Sequence, residues 1–472
     1  MLSNTTAILT EITKYMEDNQ LILSDLARKA DMNPGTMSSI INGNRTLSVD
    51  QLDRITEAMG HPVGHYYERY VTEYLTEANP NWRRMSPFIH NCAKLNKLDC
   101  IHEVVNLLMD KLGYLESLFE LAEELFKEEL HEAAAILFEN VAVSEKKQYS
   151  ERLAFCQYRL FTIRIGNDQS RNFEVACYFQ PYVERLDEVD QLDALKDLTN
   201  VYRSLREWDK VEENAKKIKI KAEIQYTLSH EEKRNHRGPI KKTRGLLFGY
   251  IAYADLLCAA SCEAREDYER ALQYTYAYTD LGWVKETDAE TRHWVSLFQH
   301  WAQGNMYVYK LLSGDTSVLQ EYVEYVNTSS NESERELIAK LMNIMIVANQ
   351  HGIKVDDILQ RFKTKIDSFM HQSTSTGMYA QQVVPEQLAR LEYELAYYYL
   401  NQGMYSDGFK YLMNALTKAN ILKNEAYLIN CIGLFSHFWA QAVPETKEEY
   451  FKFIEEVWLG NAKKIGSTRH RN

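Results

Sequence analysis

The sequence predicts an all-α protein, a small N-terminal helical bundle followed by a long array of paired helices, and three observations predict it. Eight prolines and nineteen glycines are few for 472 residues, so little interrupts helix formation. Apolar side chains recur at helical rather than alternating spacing along most of the chain. From about Ser86 onward one theme returns: an apolar helix, a short turn, and a second helix that presents a small residue to the first.

At this length one hydrophobic core does not organise the chain, so at least two structural units are expected. A hydrophobic fraction of 45% with 12% aromatics is enough to fold nearly all of it. No apolar run is long enough to cross a bilayer, and Glu11, Glu17 and Asp18 interrupt the place where a secretory signal needs apolar residues. A cytoplasmic protein with no membrane partner is expected. The seven cysteines are odd in number and scattered, and they read as reduced core thiols. A formal net charge of −13 excludes a chain that coats nucleic acid with its whole surface, so any DNA contact must be local.

The first helix is marked by Ile8, Ile12, Tyr15 and Met16 at helical spacing, and a second opens at Ser24, a natural N-cap. Asp31, Met32 and Asn33 make a tight turn, with Asn33 placed to cap a third helix that holds Pro34 in its first turn and runs through Met37 and Ile40. Asn42, Gly43 and Asn44 end that helix. Ser48 then starts a fourth, whose Leu52, Ile55 and Met59 close a small core before Gly60 and Pro62.

The framework of Leu26, Ala27, Ser38, Asn42, Gly43, Leu47, Ser48, Leu52 and Ile55 resembles the Xre/Cro family of phage-repressor-like helix-turn-helix domains. The resemblance implies a five-helix, lambda-repressor-like domain over residues 1–62 whose third helix enters the major groove of double-stranded operator DNA. It puts Asn33, Pro34, Gly35, Thr36 and Ser39 at the groove and Asn42, Asn44 and Arg45 near the phosphates. The chain departs from the family at Pro34 and Gly35, which offer no side-chain donor where Gln or Arg is common, and at Leu23, where a phosphate-binding Gln is common. Residues 1–70 hold six basic against nine acidic side chains. Phosphate neutralisation drives much of DNA affinity, so binding is expected to need a dimer, and a protein-docking role is the alternative for this domain.

After Pro62 a helix with Tyr66, Tyr67, Tyr70, Val71 and Tyr74 reads as a connector over residues 63–85, with a boundary near Asn79 and Pro80. In the array over residues 86–472 the clearest pair has Leu395, Ala396 and Tyr399, then Gly403 and Tyr405 at the turn, then Gly408, Leu412 and Ala415. A second has Leu198, Tyr202, Trp208, Val211, Ala215 and Ile218. Weaker copies carry Ala122, Leu125, Ala134, Phe138 and Val141, and Ala259, Tyr268, Ala271 and Tyr278. These spacings resemble tetratricopeptide repeats, which implies a right-handed tetratricopeptide-like α-solenoid whose first helices line a concave groove.

The two resemblances joined in one chain are similar to the RRNPP family of Gram-positive peptide-pheromone receptors. That implies a quorum-sensing transcriptional regulator, a homodimer whose grip on operator DNA is controlled by a short linear signalling peptide in the groove. In that family asparagines on first helices hold the peptide, each able to donate and accept. Carried onto this spacing, Asn200 and Arg203 face the groove, as do Tyr393, Tyr397 and Asn401, with Asn343 and Asn430 as further candidates. Arg203 or Lys196 is placed to take a peptide carboxylate. The reading from another class is a tetratricopeptide adaptor that docks proteins and has no sequence-specific DNA binding.

The chain has no phosphate loop, no His-Glu-x-x-His helix and no nucleophile elbow, so neither enzyme activity nor a cofactor is expected. His90, Cys92, Cys100 and His102 are metal-binding residue types. One-residue spacing on a helix points such ligands to different faces, so no zinc site is expected. The basic stretches 231–244 and 463–471 read as solvated segments.

Overall fold

The computed structural model describes residues 6–76, 81–109, 112–145, 150–231, 242–328, 334–370 and 378–465. Every regular element among them is a helix, and none is long and apolar enough to cross a membrane. The chain divides into two compact units, Met1–Ile163 and Arg164–Asn472. This division falls within the stretch read as a single array. The expected boundary at Asn79 and Pro80, most of the basic stretch 231–244 and the end of the basic tail lie outside the described residues.

In the first unit α1 (Ala7–Asp18), α2 (Leu23–Lys29), α3 (Pro34–Ile41) and α4 (Val49–Ala58) follow the expected order. Side chains set most of their starts: Thr6 accepts from the Leu9 N–H, Asn33 accepts from Gly35 and Thr36, and Ser48 and Gln51 form a reciprocal capping box. α2 is different. It begins one residue before the expected Ser24 cap, behind an extended Ile22 whose carbonyl accepts from Asp25 and Leu26. Asp31 bends the α2–α3 turn with φ at 47°, a left-handed geometry that Asp tolerates better than most side chains. Ile8, Ile12, Leu26, Met37, Ile40, Leu52 and Ile55 are fully buried.

The tyrosine-rich segment packs back instead of only leading onward. α5 (Tyr67–Tyr70) runs into a π-helical turn, Val71–Leu75. Tyr70 donates to the Leu47 carbonyl at 2.8 Å, Tyr67 donates to Asp53 at 2.9 Å, and the Tyr74 and Thr6 hydroxyls meet at 3.0 Å. α6 (Trp82–Lys94), α7 (Leu98–Met109), α8 (Leu115–Lys127), α9 (His131–Glu145) and α10 (Glu151–Arg164) carry the chain to the division.

In the second unit α11 (Gln169–Phe179) precedes α12 (Glu188–Ser204) paired with α13 (Trp208–Glu231), and α14 (Leu247–Glu263) paired with α15 (Tyr268–Thr279). Then come α16 (Ala289–Leu312) with α17 (Leu319–Thr328), α18 (Glu334–His351) with α19 (Asp356–Met370), and α20 (Met378–Asn401) with α21 (Tyr405–Ile421). α22 (Glu425–His437) and α23 (Pro444–Ile465) follow. The turns within pairs share one device. A left-handed residue such as Arg206, Glu266 or Gly403 lets a later N–H reach a carbonyl five residues back, as Glu207 does to Tyr202 and Met404 to Tyr399, both at 2.9 Å.

An open stack of pairs makes contacts only between neighbours. Here α20 also packs against α12, and α14 bonds to α12 through Tyr250 with Asp193 and Tyr253 with Asn200, so α12, α14, α16, α18 and α20 form a ring. The seam is fastened by the Gln169 N–H on the Leu422 carbonyl at 3.0 Å, by a Lys423–Asp168 ion pair, and by Arg206 with Glu386 at 3.6 Å. Lys423 and Asp168 are 255 residues apart in sequence, so no repeat spacing announces the closure.

Candidate functional site

The ring lines a cavity of about 670 Å³, inside the range of roughly 300–1,000 Å³ usual for small-ligand sites. Each ring helix reaches it. α12 supplies Lys196, Asn200 and Arg203, α14 supplies Tyr250 and Tyr253, and α16 supplies Trp294, Phe298, Trp301 and Asn305. Asn343 comes from α18 and Gln387 from α20, and α17 adds Tyr322 and Tyr325.

The α12 wall is polar although it is buried. Asn200 is 5% exposed, and its Oδ1 accepts from the Tyr253 hydroxyl at 2.5 Å. That bond fixes the amide so that its Nδ2 donors remain for another acceptor. Arg244, just before α14, spans Asp193 at 3.4 Å and Asp197 at 2.6 Å, and Tyr250 also donates to Asp193. Lys196 lies over the Tyr250 and Tyr253 rings at 5.4 and 5.9 Å. Burial pushes its ammonium below the ordinary lysine value, with Asp197 acting in the opposite sense.

The opposing surface is aromatic. Glu290, Trp294, Phe298, Trp301 and Asn305 recur at helical spacing and share the cavity-facing side of α16. The Trp301 indole donates to Glu336 of α18 at 2.9 Å. Asn305 donates to the buried Tyr278 hydroxyl at 2.8 Å, which orients its carbonyl end as an acceptor. Gly304 gives the clearance: a Cβ there would stand 2.8 Å from the Tyr325 hydroxyl oxygen.

Of the residues expected at a peptide groove, the cavity brings together Asn200, Arg203 and Asn343, along with Lys196. Tyr393, Tyr397, Asn401 and Asn430 are not among its lining residues. Tyr393 packs edge-on against Tyr427 at 5.9 Å, Tyr397 is 39% exposed, Asn401 donates to the Tyr397 carbonyl, and Asn430 is exposed. The geometry of α20 accounts for its share: at ~100° per residue, Tyr393 and Tyr397 point about 240° and 280° around from the cavity-facing Gln387. Asn305 and the α16 aromatics were not singled out from the sequence, because an aromatic stripe at helical spacing reads equally well as core.

At the other expected site, Asn33, Pro34, Gly35, Asn42, Asn44 and Arg45 are exposed. Thr36 and Ser39 are half-buried, and the Ser39 hydroxyl donates back to the Gly35 carbonyl at 2.9 Å. Asn33 Oδ1 is engaged in the helix cap and Asn42 donates to Ser38. Arg45 is the one cation of this set.

Cys92 and Cys100 are buried, and His90 meets Glu128 at 2.9 Å. Among the described residues no three His, Cys, Asp or Glu side chains are grouped to hold a metal ion. No protein-family model matches the chain, and no curated protein matches its sequence.

Proposed function

We propose that the chain is a cytoplasmic, peptide-controlled transcriptional regulator of the RRNPP type. On this reading it binds operator DNA through a helix-turn-helix in its first sixty residues, as a homodimer, and holds a short linear peptide inside a tetratricopeptide-like array. The observation that carries the reading is the ring cavity with its asparagines. Asn200, Asn305 and Asn343 come from three different helices, and an extended peptide offers the alternating donors and acceptors that such amides match. A peptide there touches helices on every side, so it can favour one ring arrangement over another. To move a 1:99 equilibrium to 99:1 it needs about 5.5 kcal/mol of preference.

The exposed turn around α3 supports the DNA half, and the excess of acidic residues in 1–70 favours the adaptor reading. Selection of randomised DNA duplexes by the full-length protein at physiological salt separates the two. The regulator enriches a sequence motif, and Arg45→Ala weakens binding to all sequences alike while Thr36→Ala relaxes choice at one base position. Absence of any enriched motif establishes the adaptor instead.

A further inference from the structure

Two carboxylates, Glu290 and Glu336, line the cavity from α16 and α18, where Lys340 is engaged over the Tyr325 ring at 4.1 Å, and Lys196 lines it from α12. On one side Glu336 accepts the Trp301 indole N–H at 2.9 Å. Among the described residues neither Glu336 nor Glu290 has a cationic partner. Trp294, Phe298 and Trp301 form a corner beside these carboxylates, with ring centroids 5.3–6.5 Å apart and Trp301 steeply inclined to both others. Trp294 is 38% exposed, an uncovered aromatic face at the cavity edge.

On the other side Lys196 rests on two tyrosine rings, and among the described residues no carboxylate stands within ion-pair distance of it, since Arg244 spans Asp193 and Asp197. Asn200, one turn along α12, has its Nδ2 donors to spare. Lys196 stands on α12 and the two carboxylates on α16 and α18, so the charged groups reach the cavity from different helices.

Ring faces attract cations, and flanking carboxylates add full opposite charge. A neutral ligand that covered Glu336 and Lys196 would strip water from both and replace it with nothing, which is costly. A ligand carrying a cation at one end and a carboxylate at the other satisfies both walls, and the reverse orientation places like charges together.

We propose that the cavity selects peptides by charge polarity, taking an ammonium or guanidinium into the Trp294–Phe298–Trp301 corner beside Glu290 and Glu336, and a carboxylate at Lys196 with Asn200 donating beside it. This rests on the peptide reading above. The test is affinity selection of randomised hexapeptides by the full-length protein, with retained peptides sequenced by mass spectrometry. One pool carries free C-termini and the other is C-terminally amidated. Wild type is expected to enrich Arg- or Lys-containing peptides at least tenfold and to retain the amidated pool at least tenfold less. Glu290→Gln and Glu336→Gln erase the basic preference and keep the carboxylate preference, whereas Lys196→Met does the reverse. Glu290 is exposed, so its variant probes the corner without disturbing packing. Equal retention irrespective of charge, or preferences unmoved in variants that melt like wild type, overturns the polarity and leaves peptide binding standing. Retention of nothing from either pool overturns both.

Discussion

The helices around Asn33 and Ser48 and the ring of the second unit are specified over different distances. In the first region each boundary has its cause within three residues: Asn33 caps onto Gly35 and Thr36, and Ser48 exchanges bonds with Gln51. The ring's pairs are local in the same sense, turned by residues such as Arg206 and Gly403. Its closure is not local, since Asp168 meets Lys423 and Arg206 meets Glu386. Caps are worth about 1 kcal/mol each, and the buried charges on α20 have larger consequences. The difference teaches that where helices start is written among neighbours, while where pairs end up is written in matches between distant surfaces.

The largest expected effect tests the ring side of that contrast. Glu392 on α20 is fully buried, with Lys418 of α21 at 2.7 Å. Burial pushes its carboxyl from an ordinary 4.5 up to about 7, and Lys418 offsets only part of the rise. The folded chain therefore holds this proton more tightly than the unfolded chain does. The stability it contributes is complete below about pH 4.5 and is lost as the pH rises through about 7, on the order of 3 kcal/mol in all. Six of the seven tryptophans lie in the second unit, so urea unfolding followed by their emission reads it. Wild type should unfold at a lower urea concentration at pH 8 than at pH 5, and Glu392→Gln should flatten that difference. An undiminished difference in the variant removes Glu392 as the cause.

A smaller effect sharpens what the pair spacing means. Helix propensity alone makes Gly→Ala favourable by about 1 kcal/mol. At Gly408 the new Cβ would stand 2.7 Å from Leu400 Cγ and 3.0 Å from the Leu400 backbone nitrogen, and such overpacking costs roughly 1–3 kcal/mol. At Gly433 on α22 nothing lies within 4 Å. The same substitution should therefore destabilise at 408 by a net 1 kcal/mol or so and stabilise at 433 by about 1 kcal/mol. Urea midpoints moving in the same direction at both sites would show that close approach does not explain Gly408.

These contrasts also mark what was legible in the sequence. The all-helical class followed from spacing and the scarcity of breakers, and the Asn33 and Ser48 caps from three-residue patterns. The helix pairs around Leu198–Ile218 and Leu395–Ala415 emerged where their apolar and small residues put them. Asn200, Arg203 and Asn343 reach the cavity because they sit on the inward faces of α12 and α18. Tyr393 and Tyr397 are on the same helix as Gln387 but on other faces, and helical phase relative to an unseen ring is not a local property. The division after Ile163 and the return of α20 to α12 depend on surfaces that no repeat register describes.

The smallest prediction tests whether the N-terminal boundaries are as local as their bonds suggest. Ser48→Ala removes the acceptor for the Gln51 N–H and leaves only the reverse half of the box, the residue-48 backbone N–H donating to the Gln51 side chain. The cost should be about 1 kcal/mol, and Ser48→Asp should recover most of it, because Asp caps as well as Ser and adds charge at the positive helix end. Hydrogen exchange at the first amides of α4 should then quicken about fivefold, the population change that 1 kcal/mol allows. Amides of α12 and α20 should not respond, since local opening is confined to its own cooperative unit. Equal acceleration in the ring would mean that a cap acts on the whole fold, and the distinction between neighbour-written and distance-written structure would fail at its simplest case.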